Sequence, residues 1–195
     1  VGRILGAAAL GYYTMAFRIP ELIIVSMNNV LGAVSFPMLA KTQSDDEKMR
    51  LFYFDYIRYL AIFVFPIGLG LTFTAPIFIP ALLSSKWGPA IIPTALISSA
   101  MAIMAIGYVP GVLYKAINHP EILNYLALIK LPIMVSILWF ATRWGIIGVA
   151  ASQIIIGIIL VTLDTLWANH VMKYRITDLI KAIYPSAFAS ITMSL

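Results

Sequence analysis

Residues 59–114 read YLAIFVFPIGLGLTFTAPIFIPALLSS, then Lys86, then WGPAIIPTALISSAMAIMAIGYVPGVLY, so a single lysine separates two long runs free of charge. A helix crosses the hydrocarbon of a bilayer with about 20 mainly apolar residues, and each run exceeds that length. The pattern recurs outward in both directions. Residues 22–40 and 144–163 contain no Asp, Glu, Lys or Arg, and 122–142 contains only Lys130. Across all 195 residues, 62% are hydrophobic, and 13 Lys+Arg with 8 Asp+Glu make 11% charged. Soluble domains carry roughly 25% charged residues, so this chain has too little charge to coat a globule. A soluble domain, a disordered chain and a nucleic-acid binder are therefore disfavoured, and the class that remains is an all-α, polytopic membrane helix bundle. The absence of cysteine excludes disulfides, thiolate metal sites and a cysteine nucleophile.

The charge-free intervals predict five transmembrane helices over about 12–40, 56–82, 89–114, 120–142 and 145–170. Residues 1–11 read as the end of a preceding transmembrane helix and its turn, and 179–195 as a truncated further one. Both ends look cut, and no signal peptide is visible. Helices are expected throughout, because lipid cannot hydrogen-bond the backbone and the runs lack the alternation of barrel strands. If successive spans alternate in direction, one set of loops holds Lys41, Lys48, Arg50, Arg58, Lys115, Lys173, Arg175 and Lys181. The other holds Lys86 and Arg143. Basic residues favour the cytoplasmic side, which places the loops around Asp45, Asn118 and Arg175 inside the cell. Trp87, Trp139, Trp144 and Trp167 fall near span ends, where indoles anchor at the interface.

An ionisable group mid-membrane costs about 2.5–3.5 kcal/mol on insertion scales, so it faces a cavity or a partner. At about 100° per helical residue, Asn29 falls about 20° from Arg18, with Glu21 and Asn28 about 60° and 80° to one side. Such a stripe suits a hydrated cavity binding phosphate or sugar hydroxyls, with Arg18 offering a bidentate fork. A local Arg18–Glu21 pair is the other reading. Lys130 sits mid-helix beside Pro132, as a cavity group contacting pyrophosphate or a carboxylate, or as half of a buried structural pair. Gln153 is a further cavity candidate, about 20° from Asp164 on its helix. Asp164 itself reads as interfacial, near Lys173 or Arg175. Gly107 and Gly111 supply a small face for helix packing. His119 and His170 lie in or near loops, and HExxH, GxSxG and P-loop patterns are absent. The reading therefore carries no catalytic residue, metal or cofactor.

The run from Leu5 to Pro20, with its glycines and Tyr12, Tyr13, Ala16 and Arg18, is followed by Val34-Ser35-Phe36-Pro37-Met38-Leu39-Ala40. Together they resemble the start of the carboxy-terminal lobe in polysaccharide transporters of the Wzx and teichuronic-acid type, within the multidrug/oligosaccharidyl-lipid/polysaccharide exporter superfamily. Ala75-Pro76 through Lys86-Trp87, Val112 to Pro120, and Gly145-Ile146-Ile147-Gly148-Val149-Ala150 are similar to further segments of that family in order and spacing. Ala40, Ser85, Asn118 and His119 depart from its pattern, although Asn118 tolerates the left-handed turn that a glycine would make.

The resemblance implies part of a two-lobed, V-shaped, fourteen-helix transporter in the inner (plasma) membrane. Such a transporter flips a polyprenyl-pyrophosphate-linked oligosaccharide from the cytoplasmic to the outer leaflet. The partners implied are that lipid-linked oligosaccharide, the lipid bilayer and other polysaccharide assembly proteins. A multidrug or cation exporter would favour acidic cavity residues instead, and a non-catalytic membrane scaffold subunit is the alternative from outside transport.

Overall fold

The computed structural model describes residues 2–193, and every regular element among them is helical. In chain order these are α1 (Gly2–Leu5), α2 (Ala7–Lys41), α3 (Asp46–Leu83), α4 (Ile91–Ile106), α5 (Tyr108–Ala116), α6 (Glu121–Ala141), α7 (Gly145–Met172) and α8 (Ile176–Met193), with short 3-10 turns at Ser85–Ala90 and Thr142–Trp144. Four stretches are long and apolar enough to cross a membrane: Ala7–Lys41, Asp46–Leu83, Ser85–Ala116 and Glu121–Met172. The last is broken at its 3-10 turn and at Gly145, whose φ of 67° is open to glycine and strained for a side chain. Its halves α6 and α7 turn back and pack on each other. The protein is an all-helical, multi-pass membrane protein.

Two helices depart from the charge-gap expectation. The second expected helix begins at 56, yet α3 starts ten residues earlier, where Asp45 caps it by accepting a hydrogen bond from the Lys48 backbone N–H at 3.0 Å. At 38 residues α3 is about 57 Å long, so its polar first turns extend beyond a hydrocarbon core of about 30 Å. A test that looks only for charge-free runs cannot see them. The interval 89–114 was expected as one helix, but it divides at Gly107 into α4 and α5. Pro110 follows three residues later without an N–H, which leaves the carbonyl of Ile106 without its helical donor. Asn118 adopts the expected left-handed turn, at φ 60°, between α5 and α6.

Helix α4 lies at the centre, packed on α2, α3 and α7. Its Thr94 and Ser98 are fully buried, and each donates to a carbonyl four residues back at 2.7 Å, so no hydroxyl is left dry. Thr72 of α3 and Ser99 of α4 meet at 2.8 Å. Outward-facing side chains such as Ile77 and Leu128, each 73% exposed, suit a lipid-facing surface.

Polar contacts tie the helix ends together and define which ends lie side by side. The Gln43 amide, just after α2, donates to the Ala116 carbonyl at the end of α5. Arg50 near the start of α3 donates to the Met172 carbonyl at the end of α7, at 3.0 Å. Tyr174 follows α7 and packs edge-on against Phe54 while its hydroxyl donates to the Thr165 carbonyl at 2.7 Å. At the opposite end Trp87 meets Tyr12 edge-on, with ring centroids 5.8 Å apart. The ends of α2, α5 and α7 and the starts of α3 and α6 therefore share one side, which is also the lysine- and arginine-rich side.

Candidate functional site

A cavity of about 550 Å³ lies among α2, α3, α4, α5, α6 and α7. Its depth follows from counting along helices whose ends share one side. Lys115 is in the last turn of α5, at the rim. Lys130 lies nine residues into α6 from Glu121, and Asp164 eight residues before the end of α7 at Met172, so both sit about 12–14 Å deep. Asn28 and Asn29, some 12–13 residues from the end of α2, sit about 18–20 Å deep.

Lys130 and Asp164 form an ion pair that also lines this cavity, with the carboxylate side chain 8% exposed. Helix α7 is held to α5 beside it, where the Tyr114 hydroxyl donates to the Asp164 carbonyl at 3.1 Å. Gly107 permits the close approach of the bend: a Cβ there would stand 3.2 Å from the Asp164 carboxylate and equally near Met104 O and Val161. The pair neutralises itself. Lys115 has no ionic partner among the described residues, so the cavity carries a net positive charge from its rim. At the inner end Asn28 is 5% exposed and donates to the Ile24 carbonyl at 3.3 Å. Its Oδ1 has no hydrogen bond among the described residues. The Tyr56 hydroxyl and the rings of Phe36 and Tyr108 complete a wall with aromatic faces.

The structure divides the sequence candidates into two groups. Asn28, Asn29 and Lys130 are brought together at the cavity. Arg18, Glu21 and Gln153 are not among its lining residues. Arg18 is exposed on α2 and makes no ion pair with Glu21, which leaves the local-pair reading without support. Gln153 is buried near the other end of α7, where its amide donates to the Tyr13 hydroxyl at 2.9 Å. Asp164 is not interfacial, because the hairpin of α6 and α7 carries it inward to Lys130. That pair was findable from the sequence. Lys130 and Asp164 lie at nearly equal depth from the lysine- and arginine-rich ends of consecutive helices, a register that helical angle on a single helix does not test. Lys115, read only as a topology residue, gave no other signal.

Residues 1–92 match the family described as polysaccharide biosynthesis protein. The chain is related to these membrane proteins. It is 26% identical over its whole length to the lipopolysaccharide biosynthesis protein WzxC of Escherichia coli (strain K12), of which it covers 38%. It is 30% identical over 157 residues, 80% of this chain and 32% of the relative, to an uncharacterized membrane protein in the cps region of Klebsiella pneumoniae. Over 87 residues, 45% of this chain and 18% of the relative, it is 32% identical to the teichuronic acid biosynthesis protein TuaB of Bacillus subtilis (strain 168). The chain thus spans about a third of the length of WzxC and of the Klebsiella protein. No solved structure matches it.

Proposed function

We propose that this chain belongs to a plasma-membrane transporter that moves a polyprenyl-diphosphate-linked oligosaccharide from the cytoplasmic to the outer leaflet. The relatives named for lipopolysaccharide and teichuronic acid biosynthesis support a polysaccharide cargo. The observation that carries transport is the outer face of α2. Arg18 and Asn29 are both exposed there, about 20° apart around the helix, in a segment that is otherwise long and apolar.

A polar stripe facing lipid would cost several kcal/mol, so this face suits a hydrated cleft completed by a second lobe. In that setting Arg18 would supply a guanidinium fork for phosphate, with Glu21 and Asn29 beside it as hydrogen-bonding groups. The cavity that opens beside it, lined by Asn28, Lys130 and Asn29 itself, lies in the same lobe. Gln153, bonded to Tyr13, would act only by holding α7 against the start of α2. Other polysaccharide assembly proteins would deliver the cargo and consume it.

The test uses the full-length protein in proteoliposomes with a fluorescent polyprenyl-diphosphate oligosaccharide and a quencher outside. Movement of the probe between leaflets is expected, with loss in Arg18→Ala at unchanged protein abundance. Correctly inserted protein that moves no lipid-linked probe overturns the reading.

A further inference from the structure

The cavity has features that a general polar pocket in a bundle does not require. Its ion pair leaves no net charge at mid-depth, yet Lys115 at the rim stands without an ionic partner among the described residues. At the inner end the Asn28 acceptor is buried and unfilled, which costs free energy unless a donor arrives. That donor is water or a cargo hydroxyl that enters the cavity and takes the water's place, and the terminal torsion of asparagine is soft enough to turn the oxygen toward it. Between the two ends stands Tyr108, whose exposed ring suits the C–H face of a sugar and whose hydroxyl suits its edge, while the buried Tyr56 hydroxyl donates to the Asn28 backbone carbonyl at 3.5 Å and backs the wall.

The occupant is defined by these three demands: an anionic group at the Lys115 end, ring C–H surface in the middle, and a hydroxyl donor at the Asn28 end. We propose that the cavity is a saccharide subsite entered from the Lys115 end, in which Lys115 holds an anionic group of the cargo and Asn28 accepts from a cargo hydroxyl. Lys130 and Asp164 are positioning residues here. Their pairing keeps a second cation from competing with Lys115 for the anion and fixes the spacing of α6 and α7. The inference rests on the transport reading for the origin of the cargo, but the recognition chemistry stands on the cavity. The anionic group is a phosphate or a sugar carboxylate, and either would meet Lys115.

The experiment uses full-length protein in nanodiscs, freed of other cysteines, with Leu123→Cys as a reporter at the cavity wall, because Leu123 lines the cavity, is half-buried and has no part in the proposed recognition. Labelling by a water-soluble maleimide is timed with D-glucose 1-phosphate, D-glucuronate, D-glucose or inorganic phosphate present. A charged sugar at ten times its Kd should slow labelling about tenfold, and whichever of the two protects names the anion. Lys115→Gln should abolish that protection, and Asn28→Leu should reduce the charged sugar to the effect of its anion alone. Should Asn28→Leu fail to fold, the wild-type comparison of glucose 1-phosphate with phosphate decides the same point. Equal protection by inorganic phosphate and glucose 1-phosphate overturns the saccharide subsite, as does failure of both charged sugars. Leaflet transfer without protection sinks the subsite and leaves the transporter; protection without transfer does the reverse.

Discussion

Arg18 and Lys130 are both cations in apolar helices, and the protein treats them in opposite ways. Lys130 is matched by Asp164 across the α6–α7 hairpin, and the pair is mostly buried. Arg18, on the outer face of α2, has no ionic partner among the described residues although Glu21 stands one turn away. The first charge is satisfied within this chain. The second waits for something outside it, be it water, cargo or a second lobe. On the proposed reading intramembrane charge has two uses here, fixing a helix spacing and addressing a cleft, and residue type alone does not distinguish them.

The largest effect expected breaks the matched side of that comparison. Lys130→Met leaves the Asp164 carboxylate buried without its cation and should cost about 3–5 kcal/mol. Lys130→Met combined with Asp164→Asn should recover most of this, because neither charge is then stranded. Thermal unfolding of the detergent-solubilised full-length protein reads both. A double variant no more stable than the single would show that the pair is not the contact that matters. Next in size is Gly107→Ala, which presses a methyl against Asp164, Met104 and Val161 and should cost about 1–3 kcal/mol. An unchanged unfolding temperature would mean that the α4–α5 bend has slack.

Arg18→Gln should shift stability by no more than about 0.5 kcal/mol, since Arg18 is exposed and no ion pair among the described residues is lost. Polymer export should nevertheless fail, Arg18→Lys should restore it only partly, and adding Glu21→Gln should not restore it. Normal export by the double variant Arg18→Gln with Glu21→Gln would make Arg18 a structural charge like Lys130 and erase the contrast.

How much of this was legible in the sequence depends on what each signal measures. The helical class was plain, because long charge-free runs admit no other structure in lipid. The break before Gly145 was visible from Arg143 and Trp144, and the left-handed turn from Asn118. The early start of α3 was hidden, since residues 46–55 are helical through the Asp45 cap and through packing of Met49 and Tyr53 rather than through hydropathy. For the site, helical angle placed Asn29 near Arg18 and Asn28 about 80° away, but could not say that Arg18 turns outward while Asn28 turns inward. Neither could it bring Lys130 to Asp164, because angle on one helix carries no information about depth on the next.

The smallest effect belongs to a third charged pair, one solved in water. Asp45 caps α3 and its carboxylate is 2.8 Å from Lys48, both side chains being well exposed. The Lys48 ammonium first, and then its backbone N–H, hold the Asp45 carboxyl below its ordinary range. A carboxyl lowered in the folded state contributes its stability in full above its unfolded value, near 4, and loses it as pH falls through the folded value. Asp45→Asn keeps a capping oxygen and removes the titration. The variant should therefore be slightly less stable than the parent at pH 7, and the gap should begin to narrow below about pH 4, close once pH passes the lowered folded value, and shrink in high salt. Circular dichroism melts from pH 7 down to about pH 2, with and without added salt, measure it. A gap that persists in acid would place the contribution in the cap alone and remove Lys48 from it, leaving the buried pair as the chain's sole stabilising use of opposite charge among the pairs compared.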